Sequence, residues 1–262
     1  MNGEIVSRAW KFSGTQTEDK TPALINLDEV ADFVFLRQDP PFNISYITTT
    51  YLLERLQRAK VLNNPKYVRD CPEKLFVLDF AEYMPETIIT TSESDIREFW
   101  KKHGEIILKP LYACAGMGVF YIPENDKNLF NATRILKQNY ENLPIIAQKY
   151  VKNVTKGDKR ILFIDGKVVG AINRIQATDY AISNTAVGGK YIKTELTATE
   201  QKLCAKLGLI LKEKELFLVG IDVIDDMITE INVTSPTGYL FLNELENIRC
   251  QDIMIQKLLE MK

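Results

Sequence analysis

Apolar and polar residues follow two alternating periods along this chain, and the switches between them outline its elements. Residues 32–37 (DFVFLR) predict a buried strand. Asp39-Pro40-Pro41 ends it, because proline cannot donate to a ladder. Residues 44–59 carry apolar side chains at helical spacing behind Asn43, a good N-cap, and predict a helix. A short strand at 61–63 precedes a helix over 73–80, capped by residues 70–72. Strands are predicted at 87–90 and 105–109 with a helix over 94–103 between them, then an extended stretch at 119–122. A helix over 128–140 and a strand at 145–149 follow. Strands at 160–164 and 167–175 flank Asp165-Gly166, the strongest short hairpin signal in the chain. An amphipathic helix over 197–212, two strands within 217–233 and a last helix over 247–262 complete the pattern. Residues 1–31 are polar and weakly periodic and predict no element. Hairpins interleaved with helices after one αβ start indicate α+β sheets, not a doubly wound parallel sheet. No G-x-G-x-x-G follows a strand, which removes a dinucleotide-binding reading.

Composition narrows the function classes. The chain has 262 residues, enough for one large domain or two smaller ones, with the balance of an ordinary soluble protein: 45% apolar and 26% charged. Its net charge of −2, with no basic block, gives nucleic acid or a membrane surface no electrostatic hold. No apolar run is long enough to span a bilayer, and the N-terminus lacks a signal-peptide core. Cys71, Cys114, Cys204 and Cys250 form no C-x-x-C pair, and read as free thiols in a reducing cytoplasm. His103 is the only histidine, placed like the last turn of a helix before a Gly104 cap, so a Ser/His/Asp triad or a multi-histidine zinc site is excluded.

The chemistry concentrates in residues 220–236, GIDVIDDMITEINVTSP. A two-residue Asp225-Asp226 loop would pair Asp222 with Thr229 and put Glu230 on the apolar face. A three-residue loop pairs Ile224 with Ile228 and Asp222 with Glu230, leaving Ile221, Val223, Thr229, Ile231 and Val233 on one face and Asp222, Glu230 and Asn232 on the other. Register follows the apolar face, which favours the second arrangement. Opposed carboxylates repel by up to about 1 kcal/mol, and a cation removes the penalty. Two carboxylates and an amide oxygen suit Mg²⁺ bound together with phosphates.

Lys109 closes the apolar strand before Pro110, where an ammonium needs an anion. The small residues Ala113, Cys114, Ala115, Gly116, Met117 and Gly118 let backbone N–H groups approach phosphates, without the Gly-Lys-Ser/Thr of a Walker A loop. Lys74, at a helix start, is a second phosphate candidate. Gln148, Lys149, Tyr150 and Val151 end a strand where free backbone groups and an aromatic ring suit adenine, and Arg174 ends another where an anionic substrate is met.

With RQDPPF (37–42), RDCPEKLF (69–76), ILKPL (107–111), GDKR (157–160), Gly188-Gly189 and TEINVTSPTG (229–238), the chain resembles the bacterial glutathione synthetases of the ATP-grasp superfamily from about Asp32 to its C-terminus. The resemblance implies two α+β subdomains clasping ATP over residues 73–262, preceded by a partial αβ substrate domain over 1–72. It implies an ATP-dependent carboxylate–amine ligase that joins γ-glutamylcysteine to glycine through an acyl phosphate, in the cytoplasm, as a homo-oligomer, with ATP and Mg²⁺ (or Mn²⁺) and no nucleic-acid or membrane partner. Carried over by motif, Lys74, Lys109, Ala115, Gly116, Gly118 and Asp158 hold the nucleotide with Gln148, Lys149, Tyr150 and Val151. Asp222, Glu230 and Asn232 hold the metal, Arg37 and Asp39 meet the dipeptide, and Arg174 and Asn184 act in catalysis.

Three departures from that family stand out. It opens with a further strand and helix, so the N-terminal domain is expected to be partial. Its phosphate loop has glycines where this chain has Ala113 and Ala115, a cost of roughly 1–2 kcal/mol if either must be left-handed. Ile182 and Leu240-Phe241 stand where the family has an arginine and an Arg-Glu pair. These changes leave two alternatives to the synthetase: a related ligase with another substrate, and a non-catalytic paralogue that binds nucleotide or a partner.

Overall fold

The structure, a computed structural model, describes residues 5–9, 12–13, 16–17, 22–175 and 190–262. Where the pattern predicted nothing, β1 (Val6–Ala9) pairs antiparallel with β4 (Ala23–Asn26), and the short β2 (Phe12–Ser13) and β3 (Gln16–Thr17) pair between them. A single turn, α1 (Leu27–Val30), leads into β5 (Phe33–Phe35), and α2 (Ile44–Leu53) starts where Asn43 Oδ1 accepts the N–H groups of Ser45 and Tyr46. This helix stops at Leu53, six residues short of its expected end at 59. The Asp28 carboxylate accepts the backbone N–H groups of Gln57, Arg58 and Ala59 at 2.9–3.1 Å and so takes those residues out of the helix. They turn into β6 (Lys60–Leu62), parallel to β5. Asn63 then ties this region to the rest of the chain: buried, its amide donates to the Leu218 and Val233 carbonyls and accepts from the Leu218 N–H.

After α3 (Pro65–Asp70), the helix predicted over 73–80 is broken. α4 (Glu73–Phe76) runs into a 3₁₀ segment, Val77–Tyr83, kinked at Phe80, and Phe76, Val77 and Phe80 are all buried. Next comes an antiparallel four-stranded sheet built from β7 (Thr87–Thr90), β8 (Ile106–Pro110), β9 (Phe120–Ile122) and β10 (Ile145–Lys149), in the order β7-β10-β8-β9. α5 (Glu93–His103) and α6 (Leu129–Asn139) cover it, with Ile96, Phe99, Leu108, Leu136 and Ala147 in the shared core.

The second sheet has five antiparallel strands: β11 (Asp158–Ile164), β12 (Lys167–Ile175), β13 (Lys190–Lys193), β14 (Leu218–Ile224) and β15 (Met227–Asn232), ordered β13-β12-β11-β14-β15. The period of two divides its side chains between two faces. Ile161, Phe163, Ala171, Ile221 and Val223 form one core with Leu203, Leu207 and Leu211 of α7 (Ala198–Glu213) and with Phe76 and Phe80. The helix starts on a reciprocal Thr197–Glu200 capping box. It also comes close enough to the β11–β12 turn that a Cβ on Gly208 would lie 2.2 Å from the Gly166 carbonyl. On the other face, Leu162, Ile164 and Ile172 pack with Tyr239 and Leu242 of α8 (Tyr239–Glu246) and with Cys250, which opens α9 (Cys250–Glu260). α8 has no side-chain N-cap, and its turns escaped the pattern reading. Asp158, Arg160, Arg174 and Asp222 occupy the uncovered end of that same face.

Candidate functional site

The β14–β15 hairpin combines features of both expected registers. Its loop has two residues, Asp225 and Asp226, both left-handed (φ 52° and 63°), and Ile224 pairs with Met227 and Val223 with Ile228. A bulge then leaves Thr229 as the extra residue, and beyond it Asp222 pairs with Glu230, Ile221 with Ile231 and Gly220 with Asn232. The three-residue loop is therefore corrected, while the carboxylate pairing it was meant to produce is present. Ile228 takes the buried place expected of Thr229, whose hydroxyl donates to the Asp222 carbonyl at 3.2 Å.

Asp222 and Asn232 are buried. Arg160 grips the Asp222 carboxylate with two bonds, Nε to Oδ1 and Nη2 to Oδ2, each 2.8 Å. Arg174 Nη2 lies 3.0 Å from Oδ2 and also bonds Asp158, while Asn232 Nδ2 donates to Asp222 Oδ2 at 3.4 Å. Burial alone would raise the Asp222 pKa, but the two guanidiniums outweigh it and hold the carboxyl well below the usual range. For Asp158 the balance reverses: burial pushes it up to about 7 against the pull of Arg174. Asp158 Oδ1 and Arg174 Nε are buried without a hydrogen-bond partner. Buried polar atoms of this kind need a partner, and both line the same cavity of about 560 Å³.

Opposite this cluster stand the predicted lysines. Lys74 is buried, with Nζ 3.5 Å from Glu230 Oε1 and bonded to the Ala113 carbonyl. Lys109 is buried on β8 and donates to Gln148 Oε1 at 3.2 Å, and burial lowers its pKa. The small-residue loop lines the cavity beside them. Ala115 (φ 53°), Gly116 (φ 74°) and Gly118 (φ 70°) are left-handed, and Ala113 is not. Only one of the two alanines therefore meets the expected conformational cost. Gly118 also faces Tyr140, whose Oη would lie 2.8 Å from an added Cβ.

Gln148, Lys149, Tyr150 and Val151 line the cavity, joined by Ile107 and Val154. The expectation of free backbone donors here is corrected in part. The Lys149 N–H donates to the Glu86 carbonyl and the Tyr150 N–H to the Glu105 carbonyl, while the Tyr150 ring packs on Tyr121. Asp39 lines the cavity, but Arg37 spends its guanidinium on the Pro236 carbonyl at 3.1–3.2 Å and thereby fixes the 234–238 turn. Asn184, Ile182, Gly188 and Gly189 lie outside the described residues. His103 sits in the last turn of α5 against Phe99 and does not line the cavity.

Glu73, Arg160 and Tyr191 line the cavity, and the sequence reading gave none of them a place in the site, whereas the Thr234 hydroxyl was expected close to the metal and does line the cavity. Glu73 accepts the Thr234 hydroxyl at 2.7 Å, and burial followed by the nearby Glu230 raises its pKa. In the sequence Arg160 stands out only as the last residue of the GDKR motif. Its position two residues after Asp158, on the same strand face, was the available signal. Among the described residues no three His, Cys, Asp or Glu side chains converge for a metal; the expected set is two carboxylates, Asp222 and Glu230, with the Asn232 amide.

Comparison with known proteins fits this geometry. The family model for the prokaryotic glutathione synthetase ATP-grasp domain matches residues 73–247, and the model for the N-terminal domain of the same family matches residues 3–69. The chain is 51% identical over 208 residues to a glutathione synthetase of Mesorhizobium japonicum, covering 79% of this chain and 66% of that protein. It is 36% identical over 253 residues to a glutathione synthetase of Synechocystis, covering 96% of this chain and 78% of that protein. The chain thus spans just under two thirds of the length of the Mesorhizobium relative. In fold it is similar to an ATP-grasp ligase of Chryseobacterium gregarium (TM-score 0.68, 21% identity), across 98% of this chain and 85% of that one. A buried cation–carboxylate cavity between two antiparallel sheets, the ATP-grasp fold and these matches together show that the chain belongs to the prokaryotic glutathione synthetase family.

Proposed function

We propose that the protein is a glutathione synthetase that joins γ-glutamylcysteine to glycine at the expense of ATP. The observation that carries this reading is the single cavity in which Lys74 and Lys109 face the opposed pair Asp222 and Glu230. In this reading the two lysines and the loop amides around Ala115, Gly116 and Gly118 hold the phosphates. Residues 148–151 hold the adenine, with Ile107 and Val154 as its apolar walls, and Asp158 completes the nucleotide side. Asp222, Glu230 and Asn232 offer hard oxygens that fit Mg²⁺ or Mn²⁺, which would supply neutralisation of phosphate charge.

The dipeptide's terminal carboxylate attacks the γ-phosphorus; an O–P bond forms, the β–γ bridge breaks and ADP leaves. The glycine nitrogen then attacks the acyl carbon, a C–N bond forms, phosphate departs and the amine loses its proton. Arg174, with one guanidinium nitrogen unpaired, stabilises charge on the transferred group; Asn184, which lies outside the described residues, is assigned a catalytic part by its motif alone. Neither step requires a covalent nucleophile: positioning and charge neutralisation suffice. Residues 1–72 read as a substrate domain that brings Asp39 to the cavity and holds the 234–238 turn through Arg37, and 73–262 as the ATP-grasp domain. The free thiols support a reducing, cytoplasmic setting. Ile44, Tyr51 and Leu52 are exposed along α2 at helical spacing and support a homo-oligomer, which light scattering would detect and a monomeric mass would contradict.

With ATP, Mg²⁺, γ-glutamylcysteine and glycine, the purified protein is expected to release ADP only when the dipeptide is present. No dipeptide-dependent ADP would refute the assignment, and a rise in melting temperature with ATP alone would leave a nucleotide binder without the ligase. Glu230→Gln should weaken Mg²⁺-dependent nucleotide binding at least tenfold by calorimetry, and an unchanged affinity would remove Glu230 from the metal set. Ala115→Gly should stabilise the chain by about 1 kcal/mol in denaturant melts, because glycine takes the left-handed conformation at no steric cost. A less stable variant would contradict the strain assigned to Ala115.

A further inference from the structure

One wall of the cavity has no role in the chemistry above. β13 is an edge strand of the second sheet, and on it Tyr191 stands directly opposite Arg174 of β12. Directly opposed residues of an antiparallel pair share a face at close range. Tyr191 therefore shares a sheet face with Arg174, whose guanidinium bonds Asp158 and Asp222, and both line the same cavity. Its neighbours on this end of the sheet, Asp158, Arg160, Arg174 and Asp222, are all charged. Tyr191 gives that surface an aromatic patch.

The ring is held in place. It stacks on Phe241 with centroids 3.8 Å apart and planes at 15°. Phe241 lies in the first turn of α8, which is itself anchored by buried Leu242 and by the Tyr239 hydroxyl donating to the Phe163 carbonyl at 2.9 Å. A rotamer fixed in this way presents the same surface to every ligand. Arg174 Nε, on the same sheet face, is buried without a hydrogen-bond partner.

We propose that Tyr191, braced by Phe241, is a specificity-determining residue of the carboxylate substrate. It receives the side chain next to the carboxylate activated at Arg174 and favours a soft, weakly polar group such as a thiol. This rests on the proposed ligase function. A carboxylate at Arg174 places the side chain on the adjacent carbon within reach of the facing strand. Sulfur makes favourable contacts with aromatic rings, whereas a hydroxyl pressed against a ring face gives up hydration for a weaker contact.

Dipeptide-dependent ADP release by the full chain tests this with γ-glutamylcysteine, γ-glutamyl-α-aminobutyrate and γ-glutamylserine. Wild type is expected to prefer the first two over the serine compound. Tyr191→Ala should lower kcat/KM for γ-glutamylcysteine about tenfold or more, mainly through KM, and flatten the cysteine-to-serine ratio while keeping KM for ATP within about twofold. Tyr191→Phe should retain the ranking, and Phe241→Ala should weaken it in part. An unchanged cysteine-to-serine ratio in Tyr191→Ala, or an equal loss in KM for ATP, would overturn the proposal. Should wild type release no ADP with any dipeptide, the ligase function falls, and Tyr191 is judged by calorimetric binding of the same three dipeptides in the presence of a non-hydrolysable ATP analogue. A ranking present in wild type and lost in Tyr191→Ala then supports it, and no ranking or no binding overturns it.

Discussion

Two carboxylates held opposite each other inside a protein must be compensated, and most of this architecture can be read from how Asp222 and Glu230 are. Each cation comes from a different element: Arg160 from β11, Arg174 from β12 and Lys74 from α4. The hairpin can be buried only when all three elements have docked around it. A buried ion pair adds little to stability in itself, but removing one partner typically costs about 3–5 kcal/mol, because the other charge is left without compensation. The cluster thus specifies an arrangement more than it contributes to stability. It holds the second sheet, its neighbouring strands and the start of the ATP-grasp domain in one geometry.

The bulge at Thr229 is what makes this possible. Without the extra residue, Asp222 would face Thr229 and Glu230 would turn toward Ile221 and Val223, placing a charge in an apolar core. With it, the tight Asp225-Asp226 turn and the carboxylate pairing coexist. The same sheet then does two jobs on one face. Leu162 and Ile172 rest on α8, and two residues away from them on the same strands Arg160 and Arg174 enter the cavity. The helix that supports the site from below also carries the aromatic ring that braces Tyr191, so core packing and the shape of the cavity wall are set together.

How much of this was legible in the sequence depended on how local its cause was. Strand periodicity and the Asp165-Gly166 turn are local, and four strands of the second sheet lie where the pattern predicts strands, while its edge strand β13 is one the pattern does not predict. Asp222, Glu230 and Asn232 were legible because the alternation of isoleucines and valines leaves those three on the other face. The bulge was not, since a one-residue insertion in a ladder leaves no mark in the apolar count. The end of α2 was hidden for a different reason: Asp28, far upstream, takes the backbone donors of Gln57 to Ala59. Likewise the Lys149 and Tyr150 N–H groups look free at a strand end until Glu86 and Glu105 arrive from another part of the chain. Arg160 was overlooked because a charged residue at a strand start reads as solvated unless its partner across the sheet is known.

The small-residue loop around residues 113–118 shows how one strained residue can be tolerated beside the cavity. Gly116 and Gly118 take left-handed conformations freely, so the steric cost falls on Ala115 alone. Ala113, the other expected departure, keeps an ordinary conformation and uses its carbonyl to receive Lys74. That bond links the loop to the same ammonium that faces Glu230. The loop is thus coupled to the carboxylate pair through one cation, while its strain stays outside the cores of both sheets. An anion entering between Lys74 and Lys109 meets a buried site whose charges are already balanced, and the loop carbonyl and Gln148 are the neutral groups on those lysines that it can displace without leaving a buried charge unpaired.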